Sequence, residues 1–441
     1  MTRTFLRLAV WCSVLATAGT VVHLSAVAQS KPPATAKPPA APVKAAASAK
    51  APAAPAAAPD LETLYETHQL FELRDALKAP GAPPFFKAAV AAAFNATTAE
   101  KDLRAVIKAD AQSAEANEAR ALLIAMFERT GRFADAAREL NALVAAQPDA
   151  AGTEDAAALF GVFAKHPAQT ISGSGPVAIS SSVVNGGVFV PITINGVAAT
   201  YLVDTTASIS RLSGLEARRA GLQIERAVTR EVDQESGAPI YMRMAVADRL
   251  TIGGMELQNV AFLVVNDDEK PFSDLAEGQR GAIGLPVLTA LRNIRWSADG
   301  KFEAAFPSTS KATTRPNICF DGLTPLTEAA LGTDKFSLVL DTGATVTELW
   351  PFFAHQFTSL LKSGTKGTER ENFVSGRVQV PIVQLASVPL RIGGREMPVG
   401  PVKVMMQSTE PLWYHGRLGL DALSHAKRVT IDFQRLQLSV E

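Results

Sequence analysis

Cysteine is almost missing from this chain. Its 441 residues include only Cys12 and Cys319, which excludes a disulfide-stapled scaffold and a cysteine-built metal centre. Net charge is missing too, because 43 basic residues meet 43 acidic ones. A chain with no excess of either sign has no electrostatic reason to seek nucleic acid or an anionic membrane surface. The signatures of several large enzyme classes are also absent. There is no His-Glu-x-x-His, no Gly-x-Ser-x-Gly and no phosphate-binding Gly-Lys-Ser/Thr loop. The histidines (23, 68, 166, 355, 415 and 425) show no metal-binding spacing. Neither a metal nor a cofactor is expected.

What is present changes character along the chain. Arg3 and Arg7 precede an apolar stretch from Leu8 to Val27, and Ala26-Val27-Ala28 suits a small-residue cleavage site. Residues 1–28 therefore read as a secretory signal peptide. Left uncleaved, the same stretch would anchor the chain in a membrane. Trp11 before Cys12 does not suit lipoprotein acylation. Either way the expected location is extracytoplasmic, periplasmic or secreted, and cleavage would leave Cys319 alone. Residues 29–60 are almost all Ala, Pro and Lys, a composition that forms no core and favours a semi-stiff tether.

Residues 61–165 are helical in pattern. The run "NEARALLIAMFERTGRFADAARELNALVAAQP" reads as two helices turning at Gly131. Leu123, Phe127, Phe133, Ala136, Leu140, Leu143 and Pro148 fall where packing residues of a tetratricopeptide-type repeat fall, and the segment resembles one such repeat. Ile124 departs from the small residue usual there. Two uses are open: a helical bundle that docks onto the next domain, or a groove that binds a protein partner.

From about residue 172, short Val/Ile/Thr-rich runs alternate with Gly, Asn and Ser turns, as in an all-β domain. This half repeats itself. "LVDTTASIS" around Asp204 aligns with "LVLDTGATVT" around Asp341. Ile252-Gly253-Gly254 matches Ile392-Gly393-Gly394, and "GAIGLPVL" (281–288) matches "GRLGLDAL" (416–423). The anchors share nearly one offset, so two copies of one lobe are expected, at 172–308 and 309–441. Each copy ends an apolar strand on an Asp, which burial makes costly unless it has partners or a task. Packing two copies about a pseudo-twofold axis brings the aspartates together. Two carboxylates about 3 Å apart cannot both ionise, so they share a proton, and one serves as general base while the other serves as general acid. A water between them can then attack a peptide carbonyl.

Asp341-Thr342-Gly343-Ala344, Asp204-Thr205-Thr206-Ala207, Ile283-Gly284 and Leu418-Gly419 together resemble a retropepsin-type aspartic protease, duplicated in one chain as in the pepsin architecture. The resemblance covers roughly residues 175–441. It implies catalytic Asp204 and Asp341, and active-site loops holding Thr205, Thr206, Ala207, Thr342, Gly343 and Ala344, with Gly284 and Gly419 in support. It implies Thr205 and Thr342 bracing the loops across the lobe interface, and a hairpin flap over the cleft from each lobe. Gly237 and Gly376 are the flap-tip candidates by position. A peptide or protein substrate and a monomeric catalytic unit follow, since one chain carries both lobes.

The expected fold class is thus multidomain, α plus all-β: tetratricopeptide-like helical hairpins followed by a bilobal aspartic-protease fold. The first lobe departs from the family at Thr206, where the second has Gly343. Gly343 can adopt positive φ cheaply and a β-branched residue cannot. Either the first loop uses ordinary φ, or it is strained. The activity reading is a secreted or periplasmic aspartic endopeptidase. The other reading is a peptide-binding module with a protease-like cleft and weakened or lost turnover. His415 and His425 flank Gly419 and read as structural or exposed. Trp350, Trp413 and Tyr414 read as core aromatics or as cleft lining.

Overall fold

The computed structural model describes residues 60–78, 81–147, 153–173, 175–232, 239–308, 314–373, 376–408 and 412–441. The signal-peptide stretch, nearly all of the Ala/Pro-rich tether, Pro148 and Gly237 lie outside the described residues.

Helices come first and strands follow. Ser113 caps the helix Ala114–Glu128, its hydroxyl accepting from the Ala116 amide at 3.1 Å. Gly131 then turns the chain at φ 71° into Phe133–Ala146. Leu123, Phe127, Phe133, Ala136, Leu140 and Leu143 are all buried between the helices, as is Ile124. The tetratricopeptide resemblance rests on this sequence pattern alone. The helices share a hydrophobic cluster with Met242, Met244, Leu326, Val339 and Tyr414 of the β region, so the helical region docks onto both lobes. The last helix, Thr153–Phe163, lies against the strand Ile224–Val232, and Thr229 Oγ1 donates to the Asp155 carbonyl at 3.3 Å.

Among the described residues, the β region forms a nine-stranded sheet in the first lobe and a ten-stranded sheet in the second. A five-stranded sheet joins them. It runs Val177–Ser180, Lys301–Ala304, Asn293–Ser297, Arg428–Asp432, Gln437–Val440. Its central pair joins the closing strands of the two lobes, with Ile294 opposite Ile431. The first-lobe sheet also takes in Thr170–Gly173, paired with Met255–Val265, so the lobe begins two residues before the boundary read from sequence.

Each Asp-bearing strand enters the middle of its sheet. Val197–Val203 pairs in parallel with Gly281–Ile283, and Asp334–Leu340 pairs in parallel with Gly416–Leu418. Such central strands are covered on both faces and read as continuous apolar runs. Residues 201–203 and 336–340 are accordingly all buried. Each lobe also carries an outer hairpin, Ile224–Val232 with Pro239–Ile252 and Thr365–Phe373 with Gly376–Leu385. Gly376 is the first residue of its strand, opposite Phe373.

Candidate active site

The two Asp-Thr loops meet at the lobe interface, and their backbones are held in matching ways. The Asp204 amide donates to the Ile283 carbonyl at 3.1 Å, and the Asp341 amide to the Leu418 carbonyl at 3.2 Å. The threonines cross over. Thr205 Oγ1 donates to the Leu340 carbonyl at 2.6 Å, and Thr342 Oγ1 donates to the Val203 carbonyl at 2.8 Å. Each hydroxyl also accepts the other threonine's amide at 3.0 Å. Both side chains are buried, so each hydroxyl is satisfied only by the opposite lobe.

Gly284 and Gly419 are required by contact. A Cβ on Gly284 would lie 2.4 Å from the Ala207 carbonyl oxygen, and one on Gly419 would lie 2.6 Å from the Val346 carbonyl carbon. Each glycine amide donates to a buried hydroxyl, Ser210 Oγ and Thr347 Oγ1, both at 3.0 Å. The matching places of Ser210 and Thr347 in the duplicated segment were a signal that reading for aspartates and glycines passed over.

Asp204 and Asp341 are buried, with relative exposures of 0% and 4%. Asp204 Oδ1 accepts from the Thr206 and Ala207 amides at 2.9 and 3.1 Å. Asp341 Oδ1 accepts from the Gly343 and Ala344 amides at 2.9 and 3.0 Å. Symmetry breaks at Thr206. Its hydroxyl lies 2.8 Å from Asp204 Oδ1 and 3.1 Å from Asp341 Oδ1, bridging the pair. A hydroxyl has one hydrogen, so it donates to one carboxylate and accepts from the other only if that one is protonated. Burial, and then the neighbouring Asp204 charge, push the Asp341 carboxyl up to about 6, against the opposing pull of Arg417 and Thr206.

Of the two conformations open to the Thr206 loop, the ordinary one is found. Neither Thr206 nor Gly343 has positive φ. Gly343 is needed because its Cα faces Asp204: a Cβ there would sit 2.7 Å from Asp204 Cγ. That contact is made across the lobe interface, so it cannot be read from one loop.

An apolar pocket opens beside the pair. Val184, Phe189, Leu202, Phe272 and Leu275 line it on the first lobe, and Gly343 and Thr345 line it from the second. The Asn185-Gly186 turn stands at its rim, with both residues at positive φ (49° and 85°) as a two-residue hairpin requires.

Residues 190–273 match the family model described as gag-polyprotein putative aspartyl protease. Part of the chain also matches solved structures. It is similar to a retropepsin-like aspartic protease from Rickettsia conorii, at 15% identity over 32% of this chain and 94% of that one, with a TM-score of 0.22. It is also similar to the retroviral protease-like domain of Ddi1 from Leishmania major, at 22% identity over 24% of this chain and 76% of that one, with a TM-score of 0.16. Among curated proteins none matches the chain.

Around the two Asp-Thr loops, other residues singled out in the sequence fall outside the reacting centre. His415 Nε2 meets Gln356 Oε1 at 2.8 Å, its ring lies against Phe336, and burial pushes its imidazole down to about 4. Trp350 and Trp413 are partly buried against the core and Tyr414 is buried in it. His68, which sequence reading passed over, pairs with Asp321, and its ring lies 5.1 Å from that of Trp413.

Proposed function

We propose that the β region is an aspartic endopeptidase, with Asp204 as general base and Asp341 as general acid. The observation that carries this is the hydroxyl-bridged carboxylate pair, held on two loops locked by Thr205 and Thr342. A proton held on Asp341 up to about pH 6 suits the acid role. With Asp341 protonated, it donates to Thr206 Oγ1 while Thr206 donates to Asp204, which accounts for both short contacts. When substrate binds, Asp204 takes a proton from water, the water oxygen attacks the scissile carbonyl carbon, and Asp341 protonates the carbonyl oxygen. Collapse of the tetrahedral diol then expels the amine, which takes the proton held on Asp204, while a diol hydroxyl returns its proton to Asp341. The pocket beside Gly343 suits an apolar side chain next to the scissile bond. The site is expected to work outside the cytoplasm, in a single chain, on a peptide or protein.

One observation favours a second reading. The Thr206 hydroxyl stands between the carboxylates, where an attacking water would need to lie. If it is not displaced, the cleft binds peptide without cutting it. Digesting a peptide library with the full chain, with and without a transition-state-type aspartic-protease inhibitor, decides between them. Inhibitor-sensitive cleavage supports the endopeptidase. Peptide retention without cleavage supports the binding module.

A further inference from the structure

The second carboxylate has a charged neighbour on the strand beside it. Arg417 sits on the central strand Gly416–Leu418, between Val339 on one side and Glu348 on the other. Its Nη1 is 3.9 Å from Asp341 Oδ2, and its Nη2 is 3.1 Å from Glu348 Oε2. Glu348 Oε1 then meets Lys403 Nζ at 2.9 Å, and Lys403 meets Glu369 Oε2 at 3.2 Å. Glu369 lies on the outer hairpin, opposite Val380. The charges alternate in sign from Asp341 to Glu369. Arg417, Glu348 and Lys403 are mostly buried, with side-chain exposures of 17%, 13% and 11%, so each depends on its neighbours for compensation.

The fold does not demand this chain of charges. In the first lobe the same three strands place Ala282 where Arg417 stands, Arg211 where Glu348 stands and Leu263 where Lys403 stands. The duplicated frame therefore forms with Ala and Leu at two of the three positions.

We propose that Arg417 is a positioning residue for the pair: it fixes the orientation and charge of Asp341, and Glu348, Lys403 and Glu369 tie that setting to the outer hairpin of the second lobe. The inference rests on reading Asp204 and Asp341 as a working pair. The charged groups facing Arg417 include Asp341 and, through Thr206, Asp204 from the loops. Glu348 faces it from the neighbouring strand, and Lys403 and Glu369 lie behind Glu348. His415, two residues earlier, is turned toward Gln356 and stays neutral above about pH 4. A guanidinium this close favours the carboxylate form of Asp341, and Glu348 competes for the same guanidinium. Removing Arg417 and removing the charge of Glu348 should therefore act in opposite directions, which a merely structural role would not produce.

The test is a carboxyl-carbon NMR titration of the full chain labelled at aspartate, with the Asp341 signal assigned by its loss in Asp341→Asn. Arg417→Gln should move the Asp341 midpoint up by about one pH unit. Arg417→Lys should leave it close to the wild-type value, and Glu348→Gln should move it down. A folded Arg417→Gln protein with an unmoved midpoint overturns the proposal. Should that variant not fold, an unmoved or raised midpoint in Glu348→Gln overturns it instead. The readout needs no turnover, so it is separate from the endopeptidase reading. If the wild type cuts peptides, the alkaline limb of its rate profile should follow the same shifts. If it cuts none, the endopeptidase reading fails while the titration still decides the role of Arg417.

Discussion

The two lobes share a frame and differ in what they place around it. Both hold an Asp at the end of a central strand, both cap the next turn with a hydroxyl (Ser210, Thr347), and both press a glycine against it. The first lobe then adds Thr206 and has Ala282 at the register position of Arg417. The second has Gly343 and adds Arg417. The inner hairpins differ as well. In the first lobe Val183 is 72% exposed, and a Cβ on Gly186 of the turn would lie 3.2 Å from Thr345 Cγ2 of the second lobe. In the second lobe the helical region holds the equivalent turn. Arg129 Nη1 donates to the Gly322 carbonyl at 2.8 Å, and Asp321 accepts from His68 and from Tyr414 Oη. Duplication thus accounts for the backbone that presents the pair. The chemistry and the docking surface come from the positions where the copies diverged.

Replacing either aspartate should have the largest effect. Asp204→Asn and Asp341→Asn should each cut hydrolysis by about 10²–10⁴-fold, because one proton and one charge must be divided between the two groups. Steady-state rates on a single peptide measure this, and wild-type turnover in either variant would rule out the pair. Gly343→Ala should be nearly as damaging, since its Cβ would strike the Asp204 carboxyl carbon. The equivalent change in the first lobe, Thr206→Ala, only shortens a side chain already there and should leave the fold intact. Comparing the two proteins by activity and thermal unfolding breaks the apparent symmetry of the loops.

The crossed threonines should restore that symmetry. Thr205→Val and Thr342→Val each leave buried amide and carbonyl groups of the opposite lobe without a partner. Each should cost about 1–3 kcal/mol in denaturant unfolding. Their combined cost should depart from the sum, because both belong to one network. Unequal costs would show that one lobe frames the site more firmly than the other.

The smallest effect is on stability against pH. The folded Asp341 carboxyl titrates near 6 rather than at its ordinary 3.8, so folding favours the protonated form. Its contribution is complete below about pH 4 and is lost as pH rises through about 6. Stability should fall across that window in the wild type, and the slope should flatten in Asp341→Asn. Unfolding midpoints collected from pH 3.5 to 7 check the sign.

Much of the frame was legible because it was written twice. The Asp-Thr-x-Ala loops and the distal glycines recur at nearly one offset, so residues without meaning alone gained it as pairs. What resisted reading involves contacts between distant parts of the chain. Gly343 looked like a conformational need, yet its constraint is Asp204 of the other lobe. Arg417 is one arginine among many until strand pairing sets it beside Asp341 and Glu348. His68 and Asp321 are 253 residues apart, and no local pattern joins them. The start of the first lobe at Thr170 depends on a pairing with Met255–Val265 that its own short sequence does not announce.

The central claim is that the Thr206 hydroxyl tunes a working pair of carboxylates instead of disabling it. The direct measurement is the turnover of wild type and Thr206→Gly on one peptide library, with folding checked by thermal unfolding. Removing the side chain opens the space between Asp204 and Asp341 to water and widens the groove beside them. The account predicts that the wild type cuts a narrow set of peptides slowly and that Thr206→Gly cuts more of them, faster. Two folded proteins that both fail to cut any peptide would contradict it.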